Sequence, residues 1–105
     1  MNDNSVQLIL HAGEAQSLAL EAVSAAKEGD FSSAERLLKE AENEQIQAHK
    51  CQTEMLCSEA SGLTSSPTML VMHAQDHVTS GNLLIIMAKE LNSVYKKLSK
   101  QEEKV

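Results

Sequence analysis

His73, Gln75, Asp76 and His77 stand together in the run His73-Ala74-Gln75-Asp76-His77. On a helix, residues three and four apart share a patch of surface, so His73, Asp76 and His77 can act as one cluster. Three chemistries fit such a cluster. An imidazole is partly neutral near pH 7 and can accept a phosphoryl group on a ring nitrogen. A His/Asp/His set can hold a metal ion. Inverted zinc-protease motifs have similar spacing, but they carry Glu where Asp76 stands, and no further ligand or general base is marked. The plain structural alternative is a polar interruption that fixes the register of a buried seam. Burying two histidines and an aspartate unpaired would be costly, so a partner, a metal or an exposed cleft is implied. His11 and His49 read as surface or packing residues. No Gly-rich phosphate loop occurs, which argues against nucleotide binding.

The run sits on a long helical pattern. Leu70, Ala74, His77, Gly81, Leu84, Ala88, Leu91, Tyr95 and Leu98 recur in steps of four and three, the spacing of a helix packed on partner helices. A second row lies beside it: Met69, His73, Asp76, Ser80, Leu83, Met87 and Val94. This row is apolar at both ends and ionisable in the middle.

Two more helices precede it. The first is expected from about Ser5 to Lys27, with Asp3, Asn4 or Ser5 as cap. Leu8, Ala12, Ala15, Ala19, Ala22 and Ala26 form a stripe of mostly small residues that admits a close neighbour. Val6, Ile9, Gly13, Leu20 and Val23 run beside it. Gly13 costs about 1 kcal/mol against Ala in a helix, so a close contact is expected there. Gly29-Asp30 ends this helix, and Asp30 suits the N-cap of the second, expected to reach about Ala60. Ala34, Leu37, Leu38, Ala41, Ala48, Met55 and Leu56 mark its inner side. Glu35 and Lys39 form a favourable i,i+4 pair. The stretch from Gly29 to Leu38 looks like half of a tetratricopeptide repeat, but no second copy follows. Gly62 suits a helix C′ position, Ser66 an N-cap and Pro67 a first helical residue. The third helix is then expected over Pro67 to about Lys100, with Lys96, Lys97 and Lys100 favourable at its C-terminal end. The residues after Lys100 are expected to fray. No strand pattern occurs. The fold class is all-α: an antiparallel three-helix bundle forming one domain over residues 1–105.

The 105 residues are 42% hydrophobic, but much of that is Ala, and Phe31 and Tyr95 are the aromatics. Small side chains bury little area each. Close helix approach, added burial against neighbouring subunits, or both must compensate. The formal net charge of −6 argues against nucleic-acid binding and suits a partner with a basic face. Cys51 and Cys57 lie six apart on one helix, which sets them on different sides and disfavours a disulfide. Reduced thiols fit a cytoplasmic protein. No apolar run is long enough to insert in a membrane, and the start lacks the basic region of a signal peptide.

His73-Ala74-Gln75-Asp76-His77 on the third helix resembles the active-site motif of the lactose/cellobiose-type IIA components of the bacterial phosphoenolpyruvate-dependent sugar phosphotransferase system. His11-Ala12-Gly13-Glu14-Ala15 with Ser17-Leu18-Ala19 is similar to that family's first helix. Gly29-Asp30-Phe31 and Ala48-His49-Lys50-Cys51-Gln52-Thr53-Glu54 are similar to its second. The likeness covers nearly the whole chain in one register. Gly81, Asn82, Ile85 and Ile86 depart from the family's pattern, with Ile86 more exposed than an apolar residue should be.

The resemblance implies a homotrimer of three-helix subunits acting as a cytoplasmic phosphocarrier. His73 would accept a phosphoryl group from the histidine-containing phosphocarrier protein and pass it to a IIB component. That transfer would serve uptake and phosphorylation of a sugar of lactose, cellobiose or chitobiose type. Gln75 and His77 would neighbour the phosphoryl group. One Mg²⁺ per trimer would be held by Asp76 of each subunit. Three carboxylates on one axis repel, and a hard cation with oxygen ligands suits them. Two rival readings are a non-enzymatic helical adaptor and a metal-dependent hydrolase using His73, Asp76 and His77.

Overall fold

The computed structural model describes residues 3–62 and 69–103. Among these, three helices are present: α1 (Asp3–Lys27), α2 (Phe31–Ala60) and α3 (Met69–Glu103). Ser66 and Pro67, expected to start the third helix, lie outside the described residues, as do the side chains of Asp3 and Asn4. Ser5, the other candidate cap, sits inside α1 and is buried. Of the residues expected to fray after Lys100, those from 101 to 103 are helical in α3, and Lys104 and Val105 lie outside the described residues.

The α1–α2 turn is a Schellman end fused to an N-cap. Gly29 takes φ +85°, a region where a side chain would be strained. Its N–H donates to Ala26 O (3.0 Å) and the N–H of Asp30 donates to Ala25 O (2.9 Å), closing the open carbonyls of α1. Asp30 then caps α2, its Oδ1 accepting from the Ser33 N–H at 3.2 Å. Hydrogen bonds from Ser33, first through its side chain and then through its backbone, hold the Asp30 carboxyl below its usual pKa. At the other end of α2, Gly62 takes φ +71°, in keeping with a C′ position.

The pairs between helices give the directions. His11 meets Glu44 and Gln45 meets Val78, while Glu42 meets Lys89 and Glu35 meets Lys96. Rising numbers on one helix match falling numbers on the next, so the neighbours run antiparallel. The bundle is long and thin, 63 × 19 × 16 Å, and α1 packs on both other helices.

The stripe expected on α1 is the core: Leu8, Ala12, Ala15, Ala19, Ala22 and Ala26 are all buried. Against it pack Ala34, Leu38, Ala41, Ala48 and Met55 of α2, and Ala74, Val78, Ile85 and Ala88 of α3. They form two apolar clusters. One holds Ala15, Ala19, Ala22, Leu38, Ala41, Ile85 and Ala88; the other holds Leu8, Ala12, Ala48, Met55, Ala74 and Val78. Gln45 and Gly81 sit between the two in chain order on their helices. Gln45 is buried, and its Nε2 donates to Val78 O (2.9 Å) and Asn82 Oδ1 (3.0 Å).

Four further expectations need correction. The inner line of α3 is Ala74, Val78, Gly81, Ile85, Ala88 and Asn92, so the helix is rotated from the row through His77, Leu84 and Leu91. Packing in the groove between α1 and α2 selects the line on which Ala74, Gly81 and Ala88 let the backbone come close, and the flanking leucines are only half-buried. Gly13 has nothing within 4 Å of where a Cβ would be, so no tight contact explains it. Leu56 is exposed, because Met55 takes the inward position in that turn. Glu35 pairs across the bundle with Lys96, and the i,i+4 pair that forms nearby is Arg36–Glu40 at 3.2 Å. Such exposed ion pairs stabilise little. Cys51 and Cys57 are both free, as expected.

Candidate functional site

The run from His73 to His77 lies in the first third of α3, where Ala74 and Val78 face inward and fix the helix against α1 and α2. Anchoring those two positions sets the direction of the rest by the 100° step of the helix. His73 and Asp76 point to solvent, and His77 and Gln75 are half-buried.

His73 and His77 meet directly. Their Nε2 atoms are 3.1 Å apart, and the rings sit edge to face with centroids 4.6 Å apart and planes at 81°. One nitrogen must donate and the other accept, so at most one of the pair carries a hydrogen on that atom. His77 is also held from α1. Gln16 Nε2 donates to the His77 backbone O at 3.0 Å and lies 3.5 Å from His77 Nδ1. Gln75 is directed elsewhere: its Oε1 accepts from Gln52 Nε2 of α2 at 2.5 Å. The structure therefore joins His77 to His73 and ties Gln75 to the second helix.

Among the described residues, Asp76 takes part in none of the ion pairs. It stands on the row shared with Met69, Leu83, Met87 and Val94, which are exposed by 82%, 62%, 50% and 49%. Exposed apolar side chains at both ends of such a row mark an interaction surface. Ile86 is exposed as well, as expected. Among the described residues, no three His, Cys, Asp or Glu side chains gather into a cluster within this chain. Within one chain Asp76 offers a cation a single carboxylate, so further oxygen ligands would come from outside that chain's cluster.

His11 and His49 are tied up structurally. His11 Nδ1 lies 2.7 Å from Glu44 Oε2, and His49 Nε2 lies 3.4 Å from Asn82 Oδ1. Gln16 and Gln52 were not singled out from the sequence. Gln16 does carry a signal: it falls four after Ala12 and three before Ala19, at the edge of the small-residue stripe. A polar residue there faces a neighbouring helix and needs a partner on it. No helix among the described residues is long and apolar enough to cross a membrane.

Comparison with known proteins points one way. The family model described as PTS system, Lactose/Cellobiose specific IIA subunit matches residues 3–96. The chain is 41% identical over 95 residues to a lichenan-specific phosphotransferase enzyme IIA component of Bacillus subtilis, covering 90% of this chain and 86% of that one. It is 40% identical over 102 residues to a PTS system lactose-specific EIIA component of Staphylococcus epidermidis, covering 92% and 98%. Its fold matches the crystal structure of the PTS cellobiose-specific enzyme IIA from Bacillus anthracis with a TM-score of 0.90 at 36% identity, over 95% of this chain and 94% of that one.

Proposed function

Because the chain belongs to the lactose/cellobiose-specific IIA subunits of the sugar phosphotransferase system, we propose that His73 is the residue that carries the phosphoryl group. The observation that carries this reading is the pairing of an exposed imidazole, His73, with a second imidazole 3.1 Å away that is held from behind by another helix. An exposed ring can meet the active residue of another protein. A fixed N–H beside it can hydrogen-bond the incoming phosphoryl oxygens.

The donor is the histidine-containing phosphocarrier protein and the acceptor is a IIB component. Transfer between two imidazoles needs little covalent help, and its rate rests on positioning and on stabilising the charge of the moving group. His77 is the neighbour that bonds the phosphoryl oxygens. Gln75 would have to leave Gln52 to do the same. The sugar is of lactose, cellobiose or chitobiose type. Relatives named for lichenan and lactose, and a solved relative named for cellobiose, support a sugar of this kind. The cytoplasm is the compartment where such a relay works.

The working form is a homotrimer. The exposed row from Met69 to Val94 supports this, because it leaves large apolar side chains in water on a chain whose inner stripe is mostly alanine. A threefold packing of that row would bring three Asp76 carboxylates together, and Mg²⁺ among them would offset their repulsion.

The test is phosphorylation by the donor system, read by intact mass. Wild type should gain one phosphoryl group and His73→Ala none, with helical content unchanged. The bond should be lost in acid and survive mild base, as phosphoramidates behave. A full adduct on His73→Ala would overturn the assignment, and loss of the adduct in His77→Ala alone would move the nucleophile to His77. A non-enzymatic adaptor would take no label.

A further inference from the structure

We propose that Gln16 is a positioning residue for this transfer, acting by fixing which nitrogen of His77 carries the hydrogen. The inference rests on the phosphohistidine reading but begins from α1, outside the motif.

The Gln16 amide can be oriented without ambiguity. The backbone oxygen of His77 only accepts, so the group 3.0 Å from it must be the amide nitrogen. The same nitrogen lies 3.5 Å from His77 Nδ1. An amide NH₂ donates and does not accept, so a hydrogen on Nδ1 would point at another hydrogen. Nδ1 is therefore the bare nitrogen, and neutral His77 carries its hydrogen on Nε2. That hydrogen faces His73 Nε2 at 3.1 Å. His73 Nε2 must then be the acceptor, with its own hydrogen on Nδ1.

The consequence for the reaction is direct. His73 Nε2 keeps its lone pair in the resting protein, on the exposed side of the helix. When the donor's phosphohistidine arrives, that pair forms the new N–P bond. The donor's N–P bond breaks, and its electron pair returns to the donor nitrogen. With a hydrogen on the other nitrogen of the donor ring, the donor leaves as neutral imidazole and no proton has to move. His77 Nε2–H leaves the lone pair it was bonding and donates to a phosphoryl oxygen. With the opposite tautomer, His77 would present a lone pair to the phosphoryl group and repel it. His73 would be driven to carry its hydrogen on the very atom that must attack. A single amide on another helix thus sets the chemistry of both rings, as the outer partners of metal-bound histidines do for theirs.

The test reads the tautomer and the transfer separately. Long-range ¹H–¹⁵N spectra of the full chain at a pH where imidazole is neutral report which nitrogen of His77 is protonated. Wild type should show Nε2–H. Gln16→Glu offers a carboxylate that accepts from Nδ1–H, so His77 should switch to the other tautomer. Gln16→Met removes the donor and should leave a mixture, which keeps the question open to test if the Glu variant folds poorly. Phosphorylation by the donor system should slow about tenfold or more in both variants, with helical content and melting close to wild type in the Met variant. A wild-type His77 with its hydrogen on Nδ1, or unchanged transfer in a Gln16→Glu protein whose tautomer has switched, would overturn the proposal. A wild type that shows the Nε2–H tautomer yet takes no phosphoryl group would instead overturn the functional reading on which it rests.

Discussion

The side-chain oxygen of Gln45 occupies the space that a side chain on Gly81 would need. A Cβ built on Gly81 would lie 2.7 Å from Gln45 Oε1, closer than such atoms approach in proteins. Gln45 cannot swing aside freely, since its nitrogen holds Val78 O and Asn82 Oδ1. Among the described residues the same oxygen has no hydrogen-bond partner, so the bare Cα of Gly81 is what lets a buried amide bridge two helices.

Gly81→Ala should therefore destabilise the chain. Alanine gains about 1 kcal/mol of helix propensity over glycine, but the clash and the strained bridge should cost about 1–3 kcal/mol. Gly13→Ala meets nothing within 4 Å and should stabilise by up to about 1 kcal/mol. Urea unfolding of both variants checks the contrast. Equal gains would mean that Gln45 yields without loss.

Leu83→Glu should dissociate the proposed trimer. It would put three carboxylates into an apolar seam, where unpaired charge is costly. Light scattering should give the trimer mass for wild type and the monomer mass for the variant. A wild type that runs as a monomer would remove the assembly.

Asp76→Leu should melt at the same temperature as wild type or higher. If three Asp76 carboxylates meet, replacing them with packed apolar side chains is often neutral or stabilising by about 1–4 kcal/mol. The variant should also lose the stabilisation that Mg²⁺ gives wild type by binding the folded form. Thermal melts across a Mg²⁺ series decide it. No metal response in wild type would count against the axial cation.

The cap at Asp30 should make α2 sensitive to acid. Hydrogen bonds from Ser33 lower the Asp30 pKa in the folded chain, so the unfolded chain holds the proton more tightly. The cap's contribution is then complete above the ordinary aspartate range and is lost as pH falls through the lowered folded value. Asp30→Ala should reduce stability at neutral pH and flatten its fall in acid. Parallel slopes in the two proteins would show that the cap is not what titrates.

The helices and their joints were legible because each has a local cause. Gly29, Asp30 and Gly62 act through backbone geometry and capping, which need no knowledge of the rest of the fold. The alanine stripe of α1 was legible because little but alanine repeats there. The inner line of α3 was not. That helix has apolar residues almost all round, so periodicity alone cannot say whether Leu84 or Ile85 faces in; the groove it lies in decides. The motif from His73 to His77 was visible as a cluster. Its support was hidden, since Gln16 and Gln52 reach it from other helices, and contacts of that kind leave no spacing in one sequence.

The inner line that holds the helices together is built mostly of alanine, and this makes its tolerance one-sided. Truncating an alanine to glycine removes one methyl and costs about what helix propensity dictates. Enlarging it to valine or leucine must drive two helices apart along a bundle 63 Å long, with strain that neighbouring turns share. The distance between helices is thus set by atoms that are missing, and His73, His77 and Gln16 meet only at that distance. A methylene added near Ala12, Ala19 or Ala74 should misalign the two imidazoles before it unfolds the chain. Activity would then fall by more than the loss of stability accounts for.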